Sequence, residues 1–96
     1  MKTLKEVERT LEGYKSELKE RFKVKKIGIF GSCVRGENTK TSDIDILVEF
    51  YEPIGWEYVD LQEFLEKILG SKVDIVTVKA LKPMLKDAIL KEVVYA

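Results

Sequence analysis

Residues 27–48 read IGIFGSCVRGENTKTSDIDILV, and this stretch decides the fold of the chain. An apolar run ends at Gly31-Ser32, ten residues intervene, and a second apolar run opens with Asp43 and Asp45. Successive side chains of a β-strand point to opposite faces, so this spacing places both carboxylates on one face of the second strand. At about 5 Å and an effective dielectric near 20 their repulsion costs roughly 3 kcal/mol. Folds seldom keep such a pair unless a cation offsets it.

The residue types in this stretch suit a hard cation held beside phosphate groups. Carboxylate oxygens are ligands of Mg²⁺, and phosphate oxygens can complete its shell. The Gly31-Ser32 turn opens a short helix, and a turn of small residues presents backbone N–H groups to an anion. The stretch therefore predicts a metal-dependent nucleotide site. The alternative is an ordinary strand-to-helix turn with Ser32 as N-cap, with Asp43 as a turn residue and Asp45 as a charge at the rim.

The composition predicts one domain, residues 1–96, with a single core. Apolar residues make up 45% of the chain, as in an ordinary soluble globular protein. Lys plus Arg and Asp plus Glu number 17 each, so the net charge does not indicate binding to nucleic acid or to a membrane. No apolar run approaches the roughly 18 residues of a membrane span, and the lysine-containing start lacks the apolar region of a signal peptide.

The cysteine and histidine content limits both the compartment and the metal. A single cysteine excludes an internal disulfide and agrees with a cytoplasmic location. Without histidine and with one cysteine the usual zinc sites are excluded, so any metal here must be held by oxygen.

The hydrophobic periodicity predicts an α/β (α+β) fold in the order α-β-(short α)-β-α-β-α, with a three-stranded mixed sheet flanked by helices. The predicted elements are a helix from a capping box at Thr3 through Leu18, a strand Val24–Phe30, a helical turn over 32–36, a strand Asp43–Phe50, a helix from about Trp56 to Leu69, a strand Lys72–Val78 and a last helix over 82–94. A helix between the second and third strands makes a right-handed crossover, so those two strands should run parallel.

The two faces of this sheet differ in character. The face that we expect to lie buried under helices carries Ile27, Ile29, Ile44, Ile46, Val48, Val73 and Ile75. The opposite face carries Phe30, Asp43, Asp45, Leu47, Asp74, Val76 and Val78, and its apolar part needs the first or the last helix over it. In parallel register Asp74 lies beside Asp45. Three carboxylates can bridge two magnesium ions about 3.5–4 Å apart. One ion activates the attacking hydroxyl, and the other ion coordinates the triphosphate. The alternative for Asp74 is an isolated charge near a strand start.

Two polar residues flank these carboxylates. Arg35 lies one helical turn beyond the Gly31-Ser32 turn, where its guanidinium can fork onto a phosphate. The alternative is a surface salt bridge from Arg35 to Glu37 or Asp43. Ser42 caps or positions the aspartate strand and is a further candidate for the nucleotide site.

Three other residues have a simpler interpretation. We expect Cys33 to be a small filler, because no histidine can act as its base. Trp56 can stack on a base, but the start of an apolar helix favours a core position. Tyr95 is predicted to be an ordinary tyrosine near the chain end, with a modification or interface role as the alternative.

The pattern GSx10DxD, formed by Gly31-Ser32 and Asp43-x-Asp45, resembles the signature of the DNA polymerase beta-like nucleotidyltransferase superfamily. The runs GSCVRG and SDIDILVEF, with KVDIVT at 72–77, look like its smallest members, the minimal nucleotidyltransferases, and the resemblance covers most of residues 20–96. It implies that the first two aspartates bind both metal ions. It also implies that Asp74 assists the incoming hydroxyl as ligand and base.

The resemblance implies a function as well. A nucleotidyltransferase of this kind transfers AMP from ATP, or a nucleotide from another triphosphate, to a hydroxyl and releases pyrophosphate. Larger relatives add a second domain that holds the acceptor. Minimal members are antitoxins of type VII toxin–antitoxin pairs, partnered by a helical HEPN protein, and some adenylylate a tyrosine on that toxin. The rival hypothesis is a non-catalytic antitoxin that masks its partner sterically, against which the intact Asp43, Asp45 and Asp74 argue.

Overall fold

Helices and strands alternate along the chain, and the computed structural model describes residues 3–37, 39 and 43–96. The elements are α1 (Leu4–Gly13), α2 (Lys15–Phe22), β1 (Val24–Phe30), α3 (Ser32–Arg35), β2 (Ile44–Phe50), α4 (Glu57–Leu69), β3 (Val73–Thr77), a 3₁₀ turn (Val78–Ala80), α5 (Pro83–Glu92) and β4 (Val94–Tyr95). None of the helices in these ranges is long and apolar enough to cross a membrane.

The sheet has the strand order β3-β2-β1-β4. Strand β1 is antiparallel to β2, and β2 is parallel to β3 with the intervening α4 as the crossover, as the sequence predicts. The predicted count of three strands is one too few. The last helix ends at Glu92 instead of continuing to residue 94, and Val94–Tyr95 pairs with Gly28 and Ile29 of β1. Consecutive β-branched residues at 93 and 94 favour this extended backbone.

The first helical segment is two helices instead of one. The predicted cap is present, since the Thr3 hydroxyl accepts a hydrogen bond of 3.2 Å from the Glu6 N–H. Helix α1 ends at Gly13, and Tyr14, with φ −110° and ψ 11°, separates it from α2. A glycine within a helix costs about 1 kcal/mol relative to alanine. The helix therefore breaks after Gly13, although apolar residues recur at helical spacing on both sides of it.

The core lies on one side of the sheet, under α1, α2 and α4. The predicted buried face is confirmed: Ile27, Ile29, Ile44, Ile46, Val48, Val73 and Ile75 all belong to it. The helices contribute Val7, Leu11, Leu18, Phe22, Leu61, Leu65 and Leu69. Each fully buried aliphatic or aromatic side chain contributes about 1.5–3 kcal/mol. This one-sided core leaves the opposite face free to carry the polar residues.

On that opposite face Phe30 and Leu47 are also buried, and the chain after α5 passes close to β1. A side chain at Gly28 would overlap Val93, so glycine allows this close approach. Helix α5 itself has no buried residue. The helical spacing of apolar residues over 82–94 predicts that Leu85 faces inward, and this prediction is wrong, because the Leu85 side chain is exposed.

The core prediction for Trp56 is wrong as well. Its side chain is 87% exposed, because it precedes the first turn of α4 and lies outside the helix stripe. The stripe that packs on the sheet is formed by Leu61, Leu65 and Leu69, four residues apart. The sequence pattern predicts Val59 on the apolar side of this helix, but Val59 lies off that stripe and is exposed.

Candidate active site

The register of the central strands brings two of the predicted carboxylates together. Asp45 on β2 is the parallel partner of Asp74 on β3, as the sequence predicts, and the antiparallel partner of Phe30 on β1. Asp43 lies one residue before β2 and is exposed. Neighbouring strands are about 4.8 Å apart, which sets the scale of the separation between Asp45 and Asp74. The site therefore lies where β1 ends and where β2 and β3 begin.

The electrostatics of Asp45 reflect this crowding. Burial raises the pKa of its carboxyl, and the negative charges of Asp74 and Asp43 raise it further. The positive charge of Arg35 opposes this rise, and Glu92 adds to it. A half-buried carboxylate among like charges costs free energy in the native state, and a bound cation would offset that cost.

The turn after β1 contacts this carboxylate directly. Gly31 has φ 77° and ψ −149°, which side chains rarely allow. A Cβ at this position would also overlap the Oδ2 atom of Asp45. Both observations require glycine here. The turn therefore brings its backbone against Asp45 and leads into α3.

Helix α3 follows the turn with the predicted Ser32 at its first position. The first N–H groups of a helix have no partner within it, and no side chain in the described ranges caps α3. Ser32 is half-buried beside these groups. This geometry is compatible with the predicted phosphate contact of Gly31 and Ser32, which stays a prediction.

Arg35, the last residue of α3, is held by two carboxylates. Its Nε lies 2.8 Å from Glu37 Oε1, and its Nη1 lies 2.6 Å from Glu92 Oε1. The hydrogen bond with Glu92 and then that with Glu37 raise the pKa of the guanidinium. The salt bridge with Glu37, named as an alternative from the sequence, is therefore present. Among residues 3–37, 39 and 43–96 these two carboxylates occupy Nε and Nη1, and Nη2 could make the predicted phosphate contact.

Glu92 is the residue of this site that sequence reasoning missed. Its Oε2 accepts a hydrogen bond of 3.1 Å from the Gly31 N–H, while Oε1 pairs with Arg35. Burial alone would raise the pKa of this carboxyl, but the hydrogen bonds from Arg35 and Gly31 outweigh it and lower the pKa. The available signal was an acidic residue in the last turn of a helix, where the helix dipole disfavours negative charge.

Cys33 is buried next to the site and packs in the core, as predicted for a small filler. Burial and then the charge of Asp45 raise the pKa of its thiol, so the thiolate is disfavoured. Ser42 lies outside the described residues. Tyr95 is exposed on β4, with the Lys26 Nζ 5.8 Å from its ring centroid.

The carboxylates of this site suit a metal ion whose shell is only partly supplied by protein. Within the described ranges no three Asp, Glu, Cys or His side chains converge into a ready-made metal-binding group. Mg²⁺ is usually held by one or two carboxylates together with water and substrate phosphates, and not by a complete protein cage. Oxygen donors on adjacent strands and the like charges around Asp45 fit such a partial site.

A groove that is separate from this site lies elsewhere on the surface. It has a volume of about 370 Å³ at the far end of β2, and it is lined mainly by apolar side chains such as Phe50, Ile54 and Tyr58. None of the described residues predicted for the nucleotide site lines it. The carboxylates and the glycine turn therefore remain the candidate site.

A mixed sheet with a glycine–serine turn after β1 and paired carboxylates on β2 and β3 is the arrangement expected from the resemblance to nucleotidyltransferases. Residues 11–96 match the nucleotidyltransferase domain family, and the chain belongs to that family. This confirms the predicted family, and with it the class of enzyme. The roles of the individual site residues stay predictions.

Similar proteins agree with this assignment. The protein adenylyltransferase MntA of Thermococcus cleftensis is 49% identical over 96 residues, which cover 99% of this chain and 97% of that protein. A solved structure described as a minimal nucleotidyltransferase has a TM-score of 0.82 and 34% identity, covering 97% of this chain and 95% of that one. A toxin–antitoxin crystal structure with AMP-PNP has a TM-score of 0.73 at 24% identity, covering 92% of this chain and 70% of that one. The last likeness shows the fold alone.

Proposed function

We propose that this protein transfers AMP from ATP to a hydroxyl group of a partner protein and releases pyrophosphate. The observation that carries the proposal is the pairing of Asp45 with Asp74 across β2 and β3, with the Gly31 backbone packed against Asp45. The name of the 49% identical relative, a protein adenylyltransferase, supports AMP as the transferred group. Another nucleoside triphosphate is the alternative donor.

Asp43, Asp45 and Asp74 are the residues that would hold Mg²⁺, with two ions as the expected number. When bound, the metal supplies neutralisation of phosphate charge and a lower pKa of the attacking hydroxyl. The raised pKa of Asp45 without metal, caused by burial and by its acidic neighbours, supports this ligand set.

The chain's own groups would then act mainly by positioning. The first N–H groups of α3, which follow the Gly31 N–H that Glu92 holds, and the Arg35 Nη2 would contact the triphosphate at the Gly31-Ser32 turn. The exposed Asp74 accepts the proton of the acceptor hydroxyl. The hydroxyl oxygen forms a bond to the α-phosphorus, and the bond between that phosphorus and the bridging oxygen of the leaving pyrophosphate breaks. Such transfer depends on alignment and on electrostatic stabilisation, which a small domain can provide.

A protein is the acceptor that this surface favours. Helix α5 exposes the apolar side chains of Met84 (92% exposed), Leu85 and Leu90, and contact with another protein would cover apolar surface of this kind. This chain shares its fold with one chain of the toxin–antitoxin crystal structure, and that structure motivates the search for a protein partner. The resemblance to minimal nucleotidyltransferases makes a HEPN-type toxin the expected partner, with a tyrosine as the acceptor residue.

The exposed apolar side chains of α5 support a second candidate function. A protein that covers its partner without chemistry would need α5 but not the carboxylates. In that case replacing Asp45 by asparagine would not reduce the inhibition of the partner protein. Catalysis and masking therefore differ in their dependence on one side chain.

The test is label transfer to the product of the neighbouring gene, the first candidate for the HEPN-type partner. The two proteins are incubated with Mg²⁺ and ATP labelled on the α-phosphate, and in parallel with ATP labelled on the γ-phosphate. We expect label on the partner from the α-labelled nucleotide only. Asp45→Asn should abolish it, whereas Asp60→Asn, at an exposed position on α4, should not. Label from the γ-phosphate, or no transfer by the wild type, would contradict the proposal.

A further inference from the structure

One carboxylate joins the two groups that we assign to phosphate binding. Glu92 Oε2 accepts from the Gly31 N–H at 3.1 Å, and Glu92 Oε1 lies 2.6 Å from Arg35 Nη1. Its side chain is 23% exposed, so the bridge is partly screened from solvent. Glu92 lies 61 residues along the chain from Gly31, so the contact is a product of the tertiary fold.

The backbone places Glu92 opposite this turn. Strand β4 pairs with β1 in antiparallel register, Ile29 with Val94 and Gly28 with Tyr95, and the Ala96 N–H donates to the Ile27 carbonyl at 2.9 Å. Because the two strands are antiparallel, moving one residue forward along β1 moves one residue backward along β4 and the residues before it. Continuing this register by two residues sets Glu92 against Gly31. The short fourth strand therefore determines where this carboxylate lies.

The bridge restricts the atoms that would bind phosphate. Arg35 has its Nε on Glu37 and its Nη1 on Glu92, which fixes the plane of the guanidinium. Gly31 is held between Glu92 on one side and Asp45 on the other. Charge-assisted hydrogen bonds of this kind are about twice as strong as neutral ones. A donor whose direction is fixed before binding loses less entropy when the ligand arrives.

We propose that Glu92 is a positioning residue, which orients the Gly31 turn and the Arg35 guanidinium for the triphosphate. This inference rests on the proposed function, because it assigns a role within the same site. Glu92 touches neither phosphate nor acceptor, and it acts through Gly31 and Arg35. The opposite possibility is that its carboxylate occupies the place of a phosphate and competes with the nucleotide. The two possibilities predict opposite changes in the KM for ATP.

The kinetic test compares Glu92→Gln and Glu92→Asp with the wild type. Gln cannot accept from both donors, and Asp is one methylene too short to reach both. We expect both variants to raise the KM for ATP about tenfold while kcat changes less than about twofold, since the bridge acts in binding. Asp87→Asn, at an exposed position on the same helix, should leave both constants unchanged. An unchanged or lower KM in the Glu92 variants would overturn the inference.

A second test does not depend on activity. Without nucleotide, the NMR signals of the Gly31 amide and of the Arg35 Nε–H should shift or broaden in Glu92→Gln and stay in place in Asp87→Asn. If neither signal changes, Glu92 does not order the turn and the inference fails. A wild type that binds no ATP would refute the proposed function instead, and these signals alone would then decide whether Glu92 orders the two groups.

Discussion

Replacing Asp45 by asparagine should stabilise the protein in the absence of metal. Asp45 is the parallel strand partner of Asp74, and strands about 4.8 Å apart set the separation of the two charges. At about 5 Å and an effective dielectric of 20, Coulomb repulsion is roughly 3 kcal/mol, and exposure of Asp74 reduces this to about 1–2 kcal/mol. The burial that raises the Asp45 pKa acts in the same direction. A domain of this size gains about 4–8 °C in Tm per kcal/mol.

Magnesium and ATP should reverse this order. A ligand that binds only the native state stabilises it by RT ln(1 + [L]/Kd), which is about 2.7 kcal/mol at a hundredfold excess over Kd. The wild-type protein, which keeps Asp43, Asp45 and Asp74, would gain this free energy of unfolding. Asp45→Asn lacks one ligand and should gain little.

The assay is a thermal scan of wild type, Asp43→Asn, Asp45→Asn and Asp74→Asn, first in chelator and then with magnesium and ATP. Asp60→Asn on α4 is the matched control, because its exposed carboxylate is remote in sequence from the three site aspartates. The site variants should melt higher than wild type in chelator and lower than wild type with the ligands. If they melt lower in chelator as well, the carboxylates are structural partners and the metal-site hypothesis is wrong.

Three further predictions concern the turn and its neighbours. Gly31→Ala should destabilise the fold by about 1–3 kcal/mol and weaken ATP binding, because the φ of 77° at this position and the overlap with Asp45 disfavour a Cβ. Urea unfolding measures the first effect and ATP titration the second. Wild-type values in both would contradict the close approach of Gly31 to Asp45. Arg35→Lys should weaken ATP binding several-fold, since an ammonium group cannot pair with both Glu37 and Glu92 and also donate two hydrogen bonds to a phosphate. Wild-type affinity in a titration would exclude Arg35 as a phosphate ligand. The lowered pKa of Glu92 means that its stabilisation is present above the ordinary Glu pKa near 4.3 and is lost as the pH falls through the lower native value. Urea unfolding should therefore separate wild type from Glu92→Gln at pH 7 and bring the two closer together near pH 3, and a constant difference would contradict the linkage.

The sheet and its carboxylate pair could be predicted because they follow from local periodicity. Alternation in 27–48 identified β1 with its observed ends, Val24–Phe30, and the face of Asp45. The crossover rule then set β3 parallel to β2 and Asp74 beside Asp45. Each step used only the strand period and the handedness of one connection.

The features that escaped prediction depend on contacts between distant parts of the chain. Strand β4 has two residues, too few for a periodic signal, and it forms because β1 offers an open edge next to Gly28. Glu92 acquires its role only when that pairing sets it against Gly31. Trp56 looked like a core residue by type, but its position before α4 leaves it in solvent. Apolar character alone did not determine its burial.

The central claim is that the carboxylates of β2 and β3 serve nucleotidyl transfer to a protein. Intact-mass spectrometry of the neighbouring gene's product, after incubation with this chain, magnesium and ATP, measures that most directly. With the wild type we expect the partner to gain the mass of one or more AMP groups, and with Asp45→Asn we expect an unchanged mass. A partner that stays unmodified by the wild type, or that is modified equally by Asp45→Asn, would contradict the claim.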